Sequence, residues 1–395
     1  MNYIIYFYDK LNGTFKTQDS QTNKVSDIVN LPLNTNHYHL FKGYEASEED
    51  LIKYAQDFKL WCNEIRYNEF LKIEYTKYSA HFYAVDFTFK RLTPKHLYEH
   101  HKNIEFIENQ WFDACHCGGL TFCEPGIYNS FGYDFKSQYP NILVSEDFKI
   151  PTKEGIPTFI KKLPKYKALK MGTGIYRVNI QCSDHNFKKI FAFSKDNRYV
   201  DIYLKFAMKH QKQFNVTIEL MVDDKPNAYL YDESSIENTK PIFYNWFNKL
   251  NELKRLYPKN KLVKHLMSSL WGTLTRKKKI NKTPQQVKDE NLEIDFFDAD
   301  YIILNHHIYE HKEYYELENK NEPYHYQMRI KPYLTAYSKI ITAKVALEDL
   351  DNVIRIQTDN VCFKKEQDFD IENLVPEDKT TGLIEFFNCN KYIKK

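Results

Sequence analysis

The chain has 395 residues, of which 42% are hydrophobic and 28% charged, a balance ordinary for a soluble globular protein long enough for two or three domains. A formal net charge of +3 says little about partners, and seven cysteines, an odd number, exclude a disulfide framework. No apolar run approaches the ~20 residues of a membrane span, so a cytoplasmic protein with no membrane partner is expected.

Residues 1–110 alternate short apolar runs with polar turns, which predicts a mixed α/β region. The opening Ile4-Ile-Tyr-Phe-Tyr8 is too short for a signal-peptide core and reads as a strand. Leu51, Tyr54, Ala55, Phe58 and Leu60 have helical spacing within 48–61. Cys115-His-Cys117 with Cys123 is a local cluster of ligand types, but it lacks the second pair that a zinc site needs. Gly118-Gly119 marks a junction where the backbone needs freedom.

Residues 128–135 read as a strand with Asp134 near its end, after which Ser137 and Pro140 open a helix. Residues 150–240 read mostly as strands and turns, as in 172–180 and 216–222. From Phe243 the period becomes helical, with Trp246, Leu250, Leu253 and Tyr257 in a stripe that Pro258 ends. A second helix follows from about Lys261 and places Lys264, Ser268 and Trp271 at i, i+4 and i+7, one face with a cation, a hydroxyl and an aromatic plane. Leu262, Leu266 and Leu270 would anchor its other face. A further amphipathic helix is expected over 333–350, built on Leu334, Ile340, Ile341, Val345 and Leu350. A turn at Asp351-Asn352 then leads into a hairpin of 353–357 and 361–363, with Asp359 at its tip.

Basic runs at Arg276-Lys-Lys-Lys279 and at Lys161, Lys162, Lys165, Lys167 and Lys170 form local positive patches of a kind that can face phosphates. The 31 Tyr and 28 Phe accompany an excess of Asn, Lys and Ile, which points to A/T-rich coding before base-stacking.

Two strand-borne aspartates with a lysine-bearing helix between them in sequence are the minimum equipment for two-metal nucleotidyl transfer. Mg²⁺ prefers oxygen ligands and keeps waters, so Asp134 and Asp359 with substrate phosphates would suffice to hold two ions. Lys264 first and Lys254 second would neutralise the transferred phosphates.

These residues resemble family B DNA polymerases, most closely the protein-primed branch of phages, linear plasmids and adenoviruses. The first motif of that family, Asp-x-x-Ser-Leu-Tyr-Pro, reads here Asp134-Phe-Lys-Ser-Gln-Tyr-Pro140. The second, Lys-x-x-x-Asn-Ser-x-Tyr-Gly, reads Lys264-His-Leu-Met-Ser-Ser-Leu-Trp-Gly272, and the third, Asp-Thr-Asp-Ser, reads Gln357-Thr-Asp-Asn360. The resemblance makes Asp134 and Asp359 the catalytic metal ligands for two Mg²⁺ or Mn²⁺ ions. It implies contact of the Phe135 backbone with the triphosphate, packing of Tyr139 under the deoxyribose, phosphate contacts from Lys254 and Lys264, a nucleotide-binding Ser268, and stacking of Trp271 on the nascent base pair. His116-Cys-Gly-Gly119 stands where the family has Tyr-x-Gly-Gly, so His116, Gly118 and Gly119 are expected to touch DNA.

The fold implied is α+β: a polymerase palm with an antiparallel sheet, helical fingers, a strand-rich insertion and an N-terminal exonuclease-like remnant. The expected boundaries are 1–110 for the remnant, 111–149 for the junction and first motif, 150–240 for an insertion resembling the terminal-protein-interacting subdomain, 241–330 for fingers with a second insertion, and 331–395 for the palm with the second catalytic hairpin. Three departures shape the functional expectation. Gln357 stands where the family has the third motif's first carboxylate, which removes a charge from the metal site. Around 43–60, Asp57 fits the last exonuclease motif, but Lys53 replaces its Tyr and no Asp-x-Glu precedes it. The sequence past Glu385-Phe-Phe-Asn-Cys-Asn-Lys-Tyr392 is too short for the family's thumb, so a palm and fingers without a thumb are expected. The expected activity is template-directed incorporation of dNTPs on primer-template DNA, with a terminal protein as a candidate primer and separate chains supplying exonuclease and thumb. The alternative is an inactive relic that binds DNA or a partner. A reverse transcriptase also fits Asp134 with Tyr139, but that class has paired aspartates where this chain has Asp359-Asn360.

Overall fold

The computed structural model describes residues 3–9, 14–19, 25–28, 38–42, 92–93, 106–115, 118–164, 171–258, 261–268, 270–274, 279–294, 300–309, 312–319 and 329–395. The fold is α+β and divides into two compact units, one of residues 1–96 and 243–322, the other of residues 97–242 and 323–395. The helix expected over 48–61, with Lys53 and Asp57, lies outside the described residues, as do His116, Cys117 and Lys165 to Lys170.

In the first unit, the opening apolar run forms the strand Tyr3–Asp9, central in a sheet with Thr14–Asp19, Val25–Ile28 and Tyr38–Lys42. Its later segment carries the helix Lys240–Leu256, of which Phe243, Trp246, Leu250 and Leu253 are fully buried. Three of the four residues of the expected stripe are among them, whereas Tyr257 lies just past the helix end and is half-buried. Helix is also described over Lys261–Ser268 and over Leu270–Thr273, followed by an antiparallel sheet of Lys279–Lys282, Lys312–Asn319 and Tyr301–Tyr309.

The second unit is organised by a seven-stranded antiparallel sheet. Its path runs Tyr392–Lys394, Gly382–Phe386, Gly126–Phe135, Asn360–Phe363, Val353–Gln357, Thr121–Cys123, and Leu374–Pro376 joins the end of Gly126–Phe135. The residues of Val353–Ile356 and Asn360–Phe363 are buried without alternation, the pattern of strands covered on both faces. Gly132 admits the neighbouring turn: a Cβ there would lie 1.9 Å from Thr380 Oγ1.

Helix Ile330–Glu348 packs against Gln138–Leu143, His185–Ile190 and Asp201–His210 and contacts the strand Asn360–Phe363. The expected apolar stripe is only part of its buried surface. Ile340 and Ile341 are half-buried, whereas Thr335, Ser338, Lys339 and Thr342 are buried. Polar groups taken out of water must find partners, and these do. The 150–240 region also departs from expectation. Its antiparallel strands Ile156–Thr158, Gly174–Gln181, Arg198–Val200, Thr217–Leu220 and Ala228–Leu230 enclose two helices, His185–Ile190 and Asp201–His210. Asp184 caps the first through the amides of Asn186 and Phe187, a short-range signal that the strand pattern masked.

A buried ion pair ties the start of this unit to its last long helix. Arg329 Nε and Nη2 donate to Glu108 Oε1 and Oε2 at 2.7 and 2.6 Å, and Tyr231 donates to Oε1 at 3.0 Å. The forked guanidinium matches the carboxylate geometry, so both oxygens are satisfied in a fully buried position.

Candidate active site

The strand Gly126–Phe135 ends at the first motif. Asp134 is the register partner of Asn360 on one side and of Val375 on the other. Phe135 N–H donates to Asp359 C=O at 3.0 Å, which sets the third motif's aspartate beside the first motif's. A strand spacing of about 4.8 Å and a rise of about 3.4 Å per residue put the Cα atoms of Asp134 and Asp359 about 6 Å apart. Both residues are half-buried. Two carboxylates on adjacent strand ends, open on one side to solvent, can share hard cations with a ligand's phosphates.

The same bond qualifies one expectation. The Phe135 amide is already engaged by Asp359, so it has no free donor to offer a phosphate. Beyond it, Ser137 turns the chain with φ of 54°, and the helix Gln138–Leu143 begins. Tyr139, on that helix, is half-buried and hydrogen-bonded with Ser338. Burial pushes its hydroxyl up to about 12, the Ser338 bond pulls against that, and the charge of Asp359 adds to it. The ring is therefore a neutral wall beside an acidic turn.

The hairpin of Val353–Gln357 and Asn360–Phe363 has a two-residue loop, Thr358-Asp359, closed by the pair Gln357 and Asn360. Thr358 has φ of 57°. A β-branched residue held there carries strain of about 1–3 kcal/mol and persists only where its surroundings fix it. Its N–H donates to Leu120 C=O at 2.8 Å, and its C=O accepts from Thr342 Oγ1 at 2.7 Å. Gly119 lies against it so closely that a Cβ there would meet Thr358 Oγ1 at 2.6 Å. Gly119 of the glycine pair expected at a junction thus abuts the Thr358-Asp359 hairpin. Gly118 is exposed, and His116 lies outside the described residues.

The neutral third-motif position has a built environment. Arg355, 2% exposed, donates through Nη2 to Gln357 Oε1, through Nη1 to Asn360 Oδ1 at 2.6 Å and through Nε to Cys389 C=O at 2.9 Å. Its guanidinium lies 5.2 and 5.8 Å from the ring centroids of Tyr392 and Phe386. Gln357 Nε2 donates in turn to Asn390 Oδ1 at 2.7 Å. The side-chain oxygen of Gln357 is therefore already engaged by a cationic group, and the hairpin's one carboxylate is that of Asp359. Among the described residues no group of three or more His, Cys, Asp or Glu is arranged to hold a metal. Of the cysteine cluster, Cys115 is buried and bridged to Arg198, while Cys123 sits in the seven-stranded sheet beside Arg355.

Lys254, Lys264, Ser268 and Trp271 belong to the other unit. Lys254 and Lys264 are exposed on their helices, and Ser268 Oγ donates back to Lys264 C=O at 3.1 Å. Leu266 and Leu270 are buried, as the anchoring face requires. Sequence reasoning missed Gln138, Ser338, Thr342 and Arg355. The available signals were Gln138 where the family motif has an apolar residue, and two hydroxyls, Ser338 and Thr342, at i and i+4 on one helix face.

No protein-family profile matches this sequence, and no curated protein matches it. Solved structures do match the fold. Phi29 DNA polymerase complexed with single-stranded DNA superposes with a TM-score of 0.58 at 13% identity, over 87% of this chain and 58% of that one. Phi29 DNA polymerase complexed with primer-template DNA in a post-translocation binary complex gives 0.55 at 14% identity, over 93% and 63%. The ternary complex with primer-template DNA and incoming nucleotide substrates gives 0.53 at 13%, over 88% and 61%. The chain spans about three-fifths of the length of that polymerase. Over that span the fold resembles that of phi29 DNA polymerase.

Proposed function

We propose that the chain is the core of a template-directed DNA polymerase of the protein-primed family B type, adding dNTPs to a primer end. The observation that carries this reading is the pairing of Asp134 with the Asp359 turn across one strand junction. The donor set fits hard cations: two half-buried carboxylate residues that offer oxygen ligands. Two Mg²⁺ or Mn²⁺ ions bound there would activate the primer hydroxyl and neutralise the triphosphate.

In this reading the chain's own groups orient the reactants. Asp134 and Asp359 supply the fixed negative charge. The ring of Tyr139 bounds the sugar and excludes a 2′-hydroxyl. Lys264 and Lys254 meet the phosphates, Ser268 lines the nucleotide site and Trp271 stacks on the nascent pair. Gly118 and Gly119, with His116, face the template. The 150–240 insertion engages a terminal-protein primer.

Primer extension on a defined DNA template tests the reading directly. Extension that depends on the template and on Mg²⁺ or Mn²⁺, and is lost in Asp134→Ala and in Asp359→Ala, is expected. Normal incorporation by both variants would reject the assignment. Retained primer-template binding without any extension by the parent chain would favour the binding relic, for which the occupied Gln357 oxygen is the motivating observation.

A further inference from the structure

The turn that carries Asp359 is held by a buried chain of hydrogen bonds for which nucleotidyl transfer assigns no role. Thr342 Oγ1 has one proton and gives it to Thr358 C=O at 2.7 Å. Its acceptor side takes a hydrogen bond from Gln138 Nε2 at 3.0 Å. The other end of the same amide, Gln138 Oε1, accepts from Ser338 Oγ. Ser338 is also the hydrogen-bonding partner of Tyr139. The Thr358 carbonyl can only accept, so Thr342 must donate to it and Gln138 Nε2 must donate to Thr342, which fixes the direction of the chain.

Gln138, Ser338 and Thr342 are all buried. An apolar side chain in each place would fill the same volume without the cost of burying an amide and two hydroxyls. What the polar set adds is direction: a donor aimed at the carbonyl of a residue whose φ is 57°. A carbonyl released from that donor frees the turn to relax toward ordinary backbone angles, and Asp359 is the next residue.

We propose that Thr342, oriented by Gln138, is a positioning residue that holds the Thr358-Asp359 turn in its cation-binding geometry. Through Ser338 the same chain links that turn to Tyr139. The kinetic part of this inference rests on the polymerase reading, whereas its structural part rests on the turn alone.

The test compares Thr342→Val, which keeps the shape, with Thr342→Ser, which keeps the hydroxyl, in the full chain. Three quantities are read: amide hydrogen exchange over 356–361, Mn²⁺ binding by calorimetry, and the Mg²⁺ concentration for half-maximal primer extension. Thr342→Val is expected to raise exchange in that segment about ten-fold while the segment 174–181 stays as in the parent, and to weaken cation binding about 10- to 100-fold, as loss of a ligand's supporting partner does. Thr342→Ser is expected to restore both. If Thr342→Val does not fold, Gln138→Leu carries the same comparison. Parent-like exchange and parent-like cation dependence in the valine variant would overturn the proposal, and so would raised exchange with unchanged cation dependence. A parent chain that extends no primer would remove the polymerase reading, and exchange with Mn²⁺ binding would still decide the role of Thr342.

Discussion

Arg355 donates a guanidinium hydrogen bond to the side-chain oxygen of Gln357, two residues along the same strand. The other groups that receive its N–H bonds, Asn360 Oδ1, Cys389 C=O and Cys362 Sγ, are neutral as well. A buried cation surrounded by neutral acceptors is costly to desolvate, and a carboxylate at 357 would be drawn to it first.

Placing a carboxylate at this position with Gln357→Asp is therefore expected to stabilise the protein more than to activate it. The new carboxylate pairs with Arg355, and a gain of about 1 kcal/mol would raise the melting temperature by roughly 2–4 °C for a unit of this size. Adding Arg355→Met frees the carboxylate, and the gain in primer extension is expected in that double variant. A ten-fold or larger gain in the single variant, about 1.4 kcal/mol of transition-state stabilisation, with no change in melting temperature, would show the carboxylate reaching the cation site instead.

Much of this architecture was legible in the sequence because its signals are local. The strand ending at Asp134, the helix starting after Ser137 and the hairpin around Asp359 each follow from short-range turn chemistry, and each is present within a residue or two of the expected bounds. The partners that fix these elements were not legible, because they meet across long separations. Gln138 reaches Thr342, Arg355 reaches Cys389, and Gly119 is needed only because Thr358 arrives beside it. Gln138, Gln357 and Asn360 read as isolated departures from a motif. In the fold Gln138 is the hydrogen-bonding complement of the buried Ser338 and Thr342, and Gln357 and Asn360 are complements of the buried Arg355. The missed helices of the insertion show the converse: Tyr199, Val200, Tyr203, Leu204 and Phe206 are buried together, and so strong an apolar run hides a change of period from strand to helix.

The Glu108–Arg329 pair predicts an asymmetric mutational response. Arg329→Met leaves a carboxylate buried with Tyr231 as its remaining described hydrogen-bond donor, and is expected to cost about 3–5 kcal/mol in urea unfolding. Glu108→Leu combined with Arg329→Met removes both charges and is expected to cost far less than the sum of the single changes. Additive losses in the double-variant cycle would mean that the two side chains do not act as a pair.

Alkaline pH is expected to weaken the fold before it reaches ordinary tyrosine titration. Burial pushes the Cys123 thiol up to about 11, with Cys389 adding to it, from an ordinary 9.0. The unfolded chain loses that proton first, so it binds fewer protons than the native state between pH 9 and 11, and stability falls as pH rises through that window. The raised hydroxyl of Tyr139 extends the fall to about 12. Cys123→Ala removes the first part, so its melting temperature between pH 9 and 11 should decline less steeply than that of the parent. Equal slopes would place the alkaline sensitivity elsewhere.

Tyr139 is the residue on which sugar selection should turn. Its ring is held from two directions, by burial on the helix Gln138–Leu143 and by the hydrogen bond with Ser338. Tyr139→Val removes the wall, and incorporation of ribonucleotides relative to deoxyribonucleotides is expected to rise about 100-fold, the scale on which a shaped apolar pocket discriminates a single hydroxyl. Tyr139→Phe keeps the wall and loses only the Ser338 bond, so its selectivity should stay close to the parent's while the Mg²⁺ requirement moves with that of Thr342→Val. A valine variant with parent-like sugar preference would mean that the ring faces something other than the sugar. A phenylalanine variant that loses selectivity as completely as valine would mean that the hydroxyl itself, rather than the ring, performs the exclusion.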